Sequence, residues 1–139
     1  MRFLVPLVLG AVMPAAGAEP IAWWSFDETD RRTVADRAGG HEDRVIGHVR
    51  YLPAVRGTGL KFDEFSSYVV RPAGTAPKLN PSAFTIEAWI APQAYPWNWT
   101  PIAMQRRDDR GYFFGINYFG QAGLMVGTGD ERVDCISEK

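Results

Sequence analysis

Phe84-Thr85-Ile86-Glu87-Ala88-Trp89-Ile90 alternates without a break. Phe84, Ile86, Ala88 and Ile90 would line one face of a strand, and Thr85, Glu87 and Trp89 the other. Pro81 and Ser82 punctuate its start and Pro92 stops it. The pattern predicts a β-strand over residues 84–90.

The same short-strand, short-turn rhythm runs through the rest of the chain. Before the opening stretch, strands are predicted over residues 21–27, 45–52, 60–63 and 67–71. A polar loop holding Gly39-Gly40 fills residues 29–42, and a loop with three prolines fills residues 72–81. One helical turn fits between Pro77 and Ala83. After the opening stretch comes a meander. Strands are expected over residues 101–105, 111–117, around Leu124 and Val126, and over 131–136, with a charged hairpin tip at residues 106–110. Sustained helical periodicity and internal repeats are absent from the sequence. Strands of this length and spacing indicate an all-β sandwich or barrel.

Three segments in order narrow that class: Trp24-Ser25-Phe26-Asp27-Glu28, then Gly57-Thr58-Gly59-Leu60-Lys61-Phe62-Asp63, then the opening stretch. Together they resemble the first half of a laminin-G-like domain of the concanavalin A-like lectin/glucanase superfamily, over residues 21–136. The resemblance implies an all-β, concanavalin A-like jelly-roll sandwich of two antiparallel sheets. Such domains usually continue with a strand rich in Trp and Val and another reading roughly Leu-Tyr-Val-Asn-Gly. The sequence has neither, so the expected domain, residues 19–139, is truncated and incomplete at its C-terminus. The resemblance also implies a recognition module of a larger protein, such as a glycoside hydrolase with a following catalytic domain. Fold alone does not decide between enzyme and binding module.

Composition and termini bound the setting. Arg2, a short apolar run over residues 3–12 and Ala16-Gly17-Ala18 have the layout of a secretory signal peptide, residues 1–18, cut after Ala18. The run is too short to span a membrane, which takes about 20 apolar residues. The protein is therefore expected to be secreted, periplasmic or extracellular, without membrane insertion. Its 15 basic and 16 acidic residues leave a net charge of −1 and no basic stripe, which argues against nucleic acid as a partner. Cys135 is the single cysteine, so an intramolecular disulfide is impossible. Its alternation with Val133 suggests a small buried hydrophobe.

No catalytic constellation is legible. A glucanase on this fold sets carboxylates on one strand face, about 5–5.5 Å apart in the retaining geometry. Glu87 has only Thr85 and Trp89 as same-face neighbours. Asp63-Glu64, Asp108-Asp109 and Asp130-Glu131 are adjacent pairs that strand alternation points apart. His41 and His48 fit neither a triad nor a zinc spacing.

Two binding chemistries remain. Sugars stack on flat aromatic rings, and residues 92–101 place Tyr95, Trp97 and Trp99 in one proline-stiffened segment. Asn98 offers a hydrogen-bonding edge, and Trp89 lies on the strand leading in. A glycan is the expected ligand, with Trp89, Tyr95, Trp97, Asn98 and Trp99 as its contacts. The alternative is that these rings fold back over the sandwich and plug it, making the module structural, interdomain or protein-binding. Asn98-Trp99-Thr100 also fits a glycosylation acceptor, which Pro101 disfavours. Some laminin-G-like domains bind calcium, which takes six to eight oxygens. Asp27, Asp36 and Asp63, at strand ends or in loops, are the candidate ligands, and turn-capping is the competing role.

Overall fold

The computed structural model describes residues 19–29, 32–63, 65–79 and 83–138. The expected signal peptide lies outside them, as does part of the helical turn considered between Pro77 and Ala83. The described residues form nine strands and no helix, all paired antiparallel, so the chain is all-β. They divide into two compact units, Met1–Leu79 and Asn80–Lys139.

The first unit holds a three-stranded sheet in the order β1-β2-β5 and a separate two-stranded pair, β3-β4. β1 is Thr33–Asp36, β2 His41–Ile46, β3 Arg50–Pro53, β4 Thr58–Lys61 and β5 Tyr68–Val70. The period-2 rule explains what this sheet buries. Val34 and Asp36 share a face of β1, Asp43 and Val45 share a face of β2, and Val34 stands opposite Asp43. Val69 stands opposite Val45 on β5, and Arg71, two residues on, points the same way. Val34 and Val45 are the buried apolar residues, and Asp36 and Asp43 are as buried as they are. Half the buried face is therefore ionic.

Three expectations are corrected here. Residues 29–42, read as a polar loop, contain β1 and the start of β2. Their buried positions are filled partly by aspartate, so the hydropathy pattern that signals a strand is missing. Residues 45–52, read as one strand, are broken after Ile46 by Gly47, whose φ of 78° is left-handed. A Cβ at Gly47 would sit 2.7 Å from the Ser66 carbonyl oxygen, so the chain turns where only glycine fits. Residues 21–27 form no strand either, and a single bridge joins Trp24 to Asp36.

The second unit is a four-stranded meander, β6-β7-β8-β9. β6 is Thr100–Arg107, β7 Arg110–Ile116, β8 Ala122–Thr128 and β9 Arg132–Ile136. The charged tip is the β6–β7 turn, with Asp108 at φ 52° and Arg106 donating to the Asp108 carbonyl oxygen at 2.7 Å. Registers set Tyr112, Phe114 and Ile116 on one face with Val126, Leu124 and Ala122 opposite them, continued by Val133 and Cys135 on β9. Phe113, Met125, Arg132 and Asp134 lie on the other face. Cys135 is exposed rather than buried, as is every residue of β9 among the described residues.

The opening stretch, residues 84–90, is not a ladder strand among the described residues. Its alternation survives only at its start. Phe84 and Ile86 are half-buried, with the Phe84 ring 5.8 Å from that of Tyr112, whereas Ala88 and Ile90 are exposed. Alternation reports which side chains share a face. A ladder also needs a neighbour's N–H and C=O groups, and none of the described strands supplies them here.

Candidate functional site

The three aspartates proposed for calcium are each held by their own surroundings. Asp36 Oδ1 accepts the backbone N–H groups of Trp23, Ala38 and Gly39 at 2.8, 3.0 and 3.0 Å, which closes the β1–β2 turn. Asp36 Oδ2 faces Arg71 Nη2 at 2.8 Å as an ion pair. Asp43 takes Arg71 side-on, from Nε at 2.8 Å and Nη2 at 2.6 Å, and accepts the Trp24 indole N–H at 2.6 Å. The Arg71 guanidinium also lies over the Trp24 ring, 5.1 Å from its centre. Burial pushes the Asp36 carboxyl up, but the N–H groups of Gly39 and Trp23 and the Arg71 guanidinium outweigh it and hold the pKa down at about 2. Arg71 is raised, chiefly by Asp43, with burial opposing.

Asp63 accepts the backbone N–H groups of Phe65, Ser66 and Ser67 at 2.9–3.1 Å and the hydroxyls of Ser66 and Ser67. The hydroxyls of Ser67 and Ser66, and then the backbone N–H groups, hold its carboxyl far below the usual carboxylate range. Asp27 accepts the Thr58 N–H at 3.2 Å and pairs with Arg37 at 3.5 Å on the surface. Among the described residues no three His, Cys, Asp or Glu side chains are grouped to hold a metal. Calcium needs carboxylate oxygens turned to one point, and these three are turned to separate N–H donors and cations. The donor set does not fit the ion.

The aromatic segment is open rather than folded away. Trp97 is 89% exposed, Tyr95 66% and Trp89 92%. Trp99 is the exception. It is half-buried, meets Phe113 edge-on at 6.2 Å and 85°, and lies against Gly123, where a side chain would collide with it. Of the two roles weighed for these rings, packing describes Trp99, and exposure describes Trp89, Tyr95 and Trp97. Asn98 is exposed, and its amide oxygen accepts the Trp99 N–H at 2.8 Å, which bends the chain between the two tryptophans.

The structure adds two rings that the sequence reading missed. Tyr95 lies against Gly120 in the β7–β8 turn, where an added Cβ would come within 2.8 Å of its ring. That turn carries Tyr118 and Phe119, whose ring centres lie 4.0 Å apart with their planes tilted by 44°, both about half exposed. Buried Asn117 fixes the turn. Its Oδ1 accepts the N–H groups of Phe119 and Gln121 at 2.9 and 3.1 Å, and its Nδ2 donates to Gln121 Oε1 at 3.0 Å. Tyr95 is thus the exposed ring that meets this turn, and Trp97 and the packed Trp99 follow it along the chain. Glu87 is exposed. Trp89 is separate, with no ring contact among the described residues.

These features define an all-β protein with a β-sandwich type of fold and an exposed aromatic surface. Comparison with solved structures supports that class. The chain is similar to residues 221–444 of an S-layer domain-containing protein from Clostridium thermocellum, with a TM-score of 0.69 and 19% identity over 85% of this chain. It spans 57% of that structure's length. No protein-family model matches the chain, and no curated protein matches it. No helix among the described residues is long and apolar enough to cross a membrane.

Proposed function

We propose that the chain is a non-catalytic, extracellular recognition module of laminin-G-like, jelly-roll type, and that its ligand is carbohydrate. One observation carries the ligand class: Tyr95 and Trp97 are held in solvent on a segment whose neighbour, Trp99, is packed down. Exposing large rings forfeits hydrophobic stabilisation, at about 25 cal/mol per Å² of apolar surface left in water. Exposed Tyr and Trp rings suit the apolar faces of sugar rings, with the Tyr hydroxyls for the sugar's own hydroxyls. The solved neighbour, a domain of an S-layer domain-containing protein, supports an extracellular setting. A following glycoside hydrolase domain fits the same reading.

The direct test is a glycan array probed with the full chain, followed by titration of the best ligand against Tyr95→Ala. Binding to a defined glycan class, weakened in the variant, supports the reading. An empty array removes carbohydrate and leaves the structural or protein-binding module.

A further inference from the structure

One row of partners crosses the four strands of the meander in register: Arg106, Gly111, Gly127 and Arg132. Its middle members have no side chain, so the row is a gap with a guanidinium at each end. A cavity of about 230 Å³ opens there. The next row on the same face is Met104, Phe113, Met125 and Asp134, and it gives the cavity Phe113 and Met125 as an apolar wall. Neither glycine tolerates a side chain. A Cβ at Gly111 would strike the Gln105 carbonyl oxygen, and one at Gly127 that of Asp109.

The slot lies on the face of the sheet and not at its edge, so a strand paired beside β9 would leave it open. Nor does this face suit a covering layer. The apolar side chains of Tyr112, Phe114, Leu124 and Val126 are on the opposite face, where the Phe84 ring meets Tyr112. On the slot's face Arg106 pairs with Asp109 at 3.2 Å and Arg132 with Asp134 at 2.7 Å, all of them open to solvent. A layer packed over them would have to desolvate both pairs.

From this slot we infer a binding site for one uncharged sugar residue of an oligosaccharide, a second subsite that rests on the carbohydrate reading above. Arg106 gives its Nε to the Asp108 carbonyl oxygen and Nη2 to Asp109, and Arg132 gives Nε and Nη2 to Asp134. These bonds fix both forks and leave the Nη1 donors for ligand hydroxyls. Charge selects the ligand. Asp109, Asp130 and Glu131 line the same cavity as the two arginines, so a uronic or sulfated sugar meets repulsion and a neutral one does not. The volume suits a single pyranose ring. Trp99 sits over Gly123 on this face of β8, four residues before Gly127, which is about 13 Å at the rise of a strand. A ligand that reaches from the aromatic segment to the slot is therefore an oligosaccharide laid along the strands.

The test is an array of neutral, uronic and sulfated oligosaccharides of graded length, probed with the full chain and with the double variant Arg106→Ala/Arg132→Ala. The wild type is expected to bind neutral glycans, more tightly as they lengthen. The double variant is expected to bind the shortest glycans like the wild type, which also shows that it folds, and the longest about tenfold more weakly, the worth of hydrogen bonds from a charged donor. A double variant equal to the wild type at every length, or weakened alike at every length, overturns the slot and leaves the carbohydrate reading standing on Tyr95→Ala. Preference for acidic glycans overturns the ligand class. A wild type that binds no glycan removes the carbohydrate reading and the slot with it.

Discussion

At the scale of single residues, the buried triad of Arg71, Asp36 and Asp43 has the most at stake. One guanidinium serves two buried carboxylates, and its own side chain is 8% exposed. Arg71→Met leaves both acids facing each other without a cation. Breaking a buried pair in this way costs about 3–5 kcal/mol, and urea denaturation is expected to show a loss of that size. A loss below about 1 kcal/mol would mean that the pair behaves as a surface contact. The triad also sets an acid limit. Folding holds the Asp36 pKa at about 2, below its ordinary 3.8, so folding favours its ionised form. That stabilisation is complete above pH 3.8 and is lost as pH falls towards 2. It is worth about 2 kcal/mol by linkage. Asp36→Asn is therefore expected to be less stable at neutral pH and to lose less on acidification. An unchanged acid limb in thermal melts across this range would remove Asp36 as its source.

At the scale of elements, the hairpin of β1 and β2 shows what a hydropathy pattern misses. Its inward positions read Val34, Asp36, Asp43, Val45, so half of the expected apolar beat is replaced by charge. The partner that makes those charges tolerable, Arg71, lies 28 residues beyond Asp43. Local sequence cannot show it. Gly39 is part of the same device, since a Cβ there would collide with the Asp36 carboxylate. Gly39→Ala is expected to displace that carboxylate and cost about 1–3 kcal/mol. A melt within a degree of wild type would show that the turn relaxes instead. The meander β6–β9 was legible because its turns carry glycine and aspartate and its faces alternate cleanly. Residues 84–90 alternate equally well yet form no ladder, because pairing depends on a second strand that the alternation does not specify.

At the scale of the whole molecule, the all-β class was readable from strand spacing alone, and the fold likeness to a solved all-β domain agrees with it. The candidate site was readable in part. Tyr95 and Trp97 stood out as clustered rings, but exposure separates them from Trp99, and exposure is a tertiary property. Tyr118 and Phe119 did not stand out because their link to Tyr95 runs through Gly120, 25 residues away in the chain. A signal was present in the turn itself, where two adjacent aromatics precede a glycine.

The account rests on Trp97 being exposed for a ligand while Trp99 is packed for stability. Trp97→Ala and Trp99→Ala, each measured for glycan affinity by calorimetry and for melting temperature, separate the two roles. Trp97→Ala is predicted to melt with the wild type and to bind at least tenfold more weakly, about 1.4 kcal/mol. Trp99→Ala is predicted to lose about 2–3 kcal/mol of stability, below the full core value because the ring is half-buried. Unchanged affinity in Trp97→Ala, or a fall in its melting temperature equal to that of Trp99→Ala, would contradict the account.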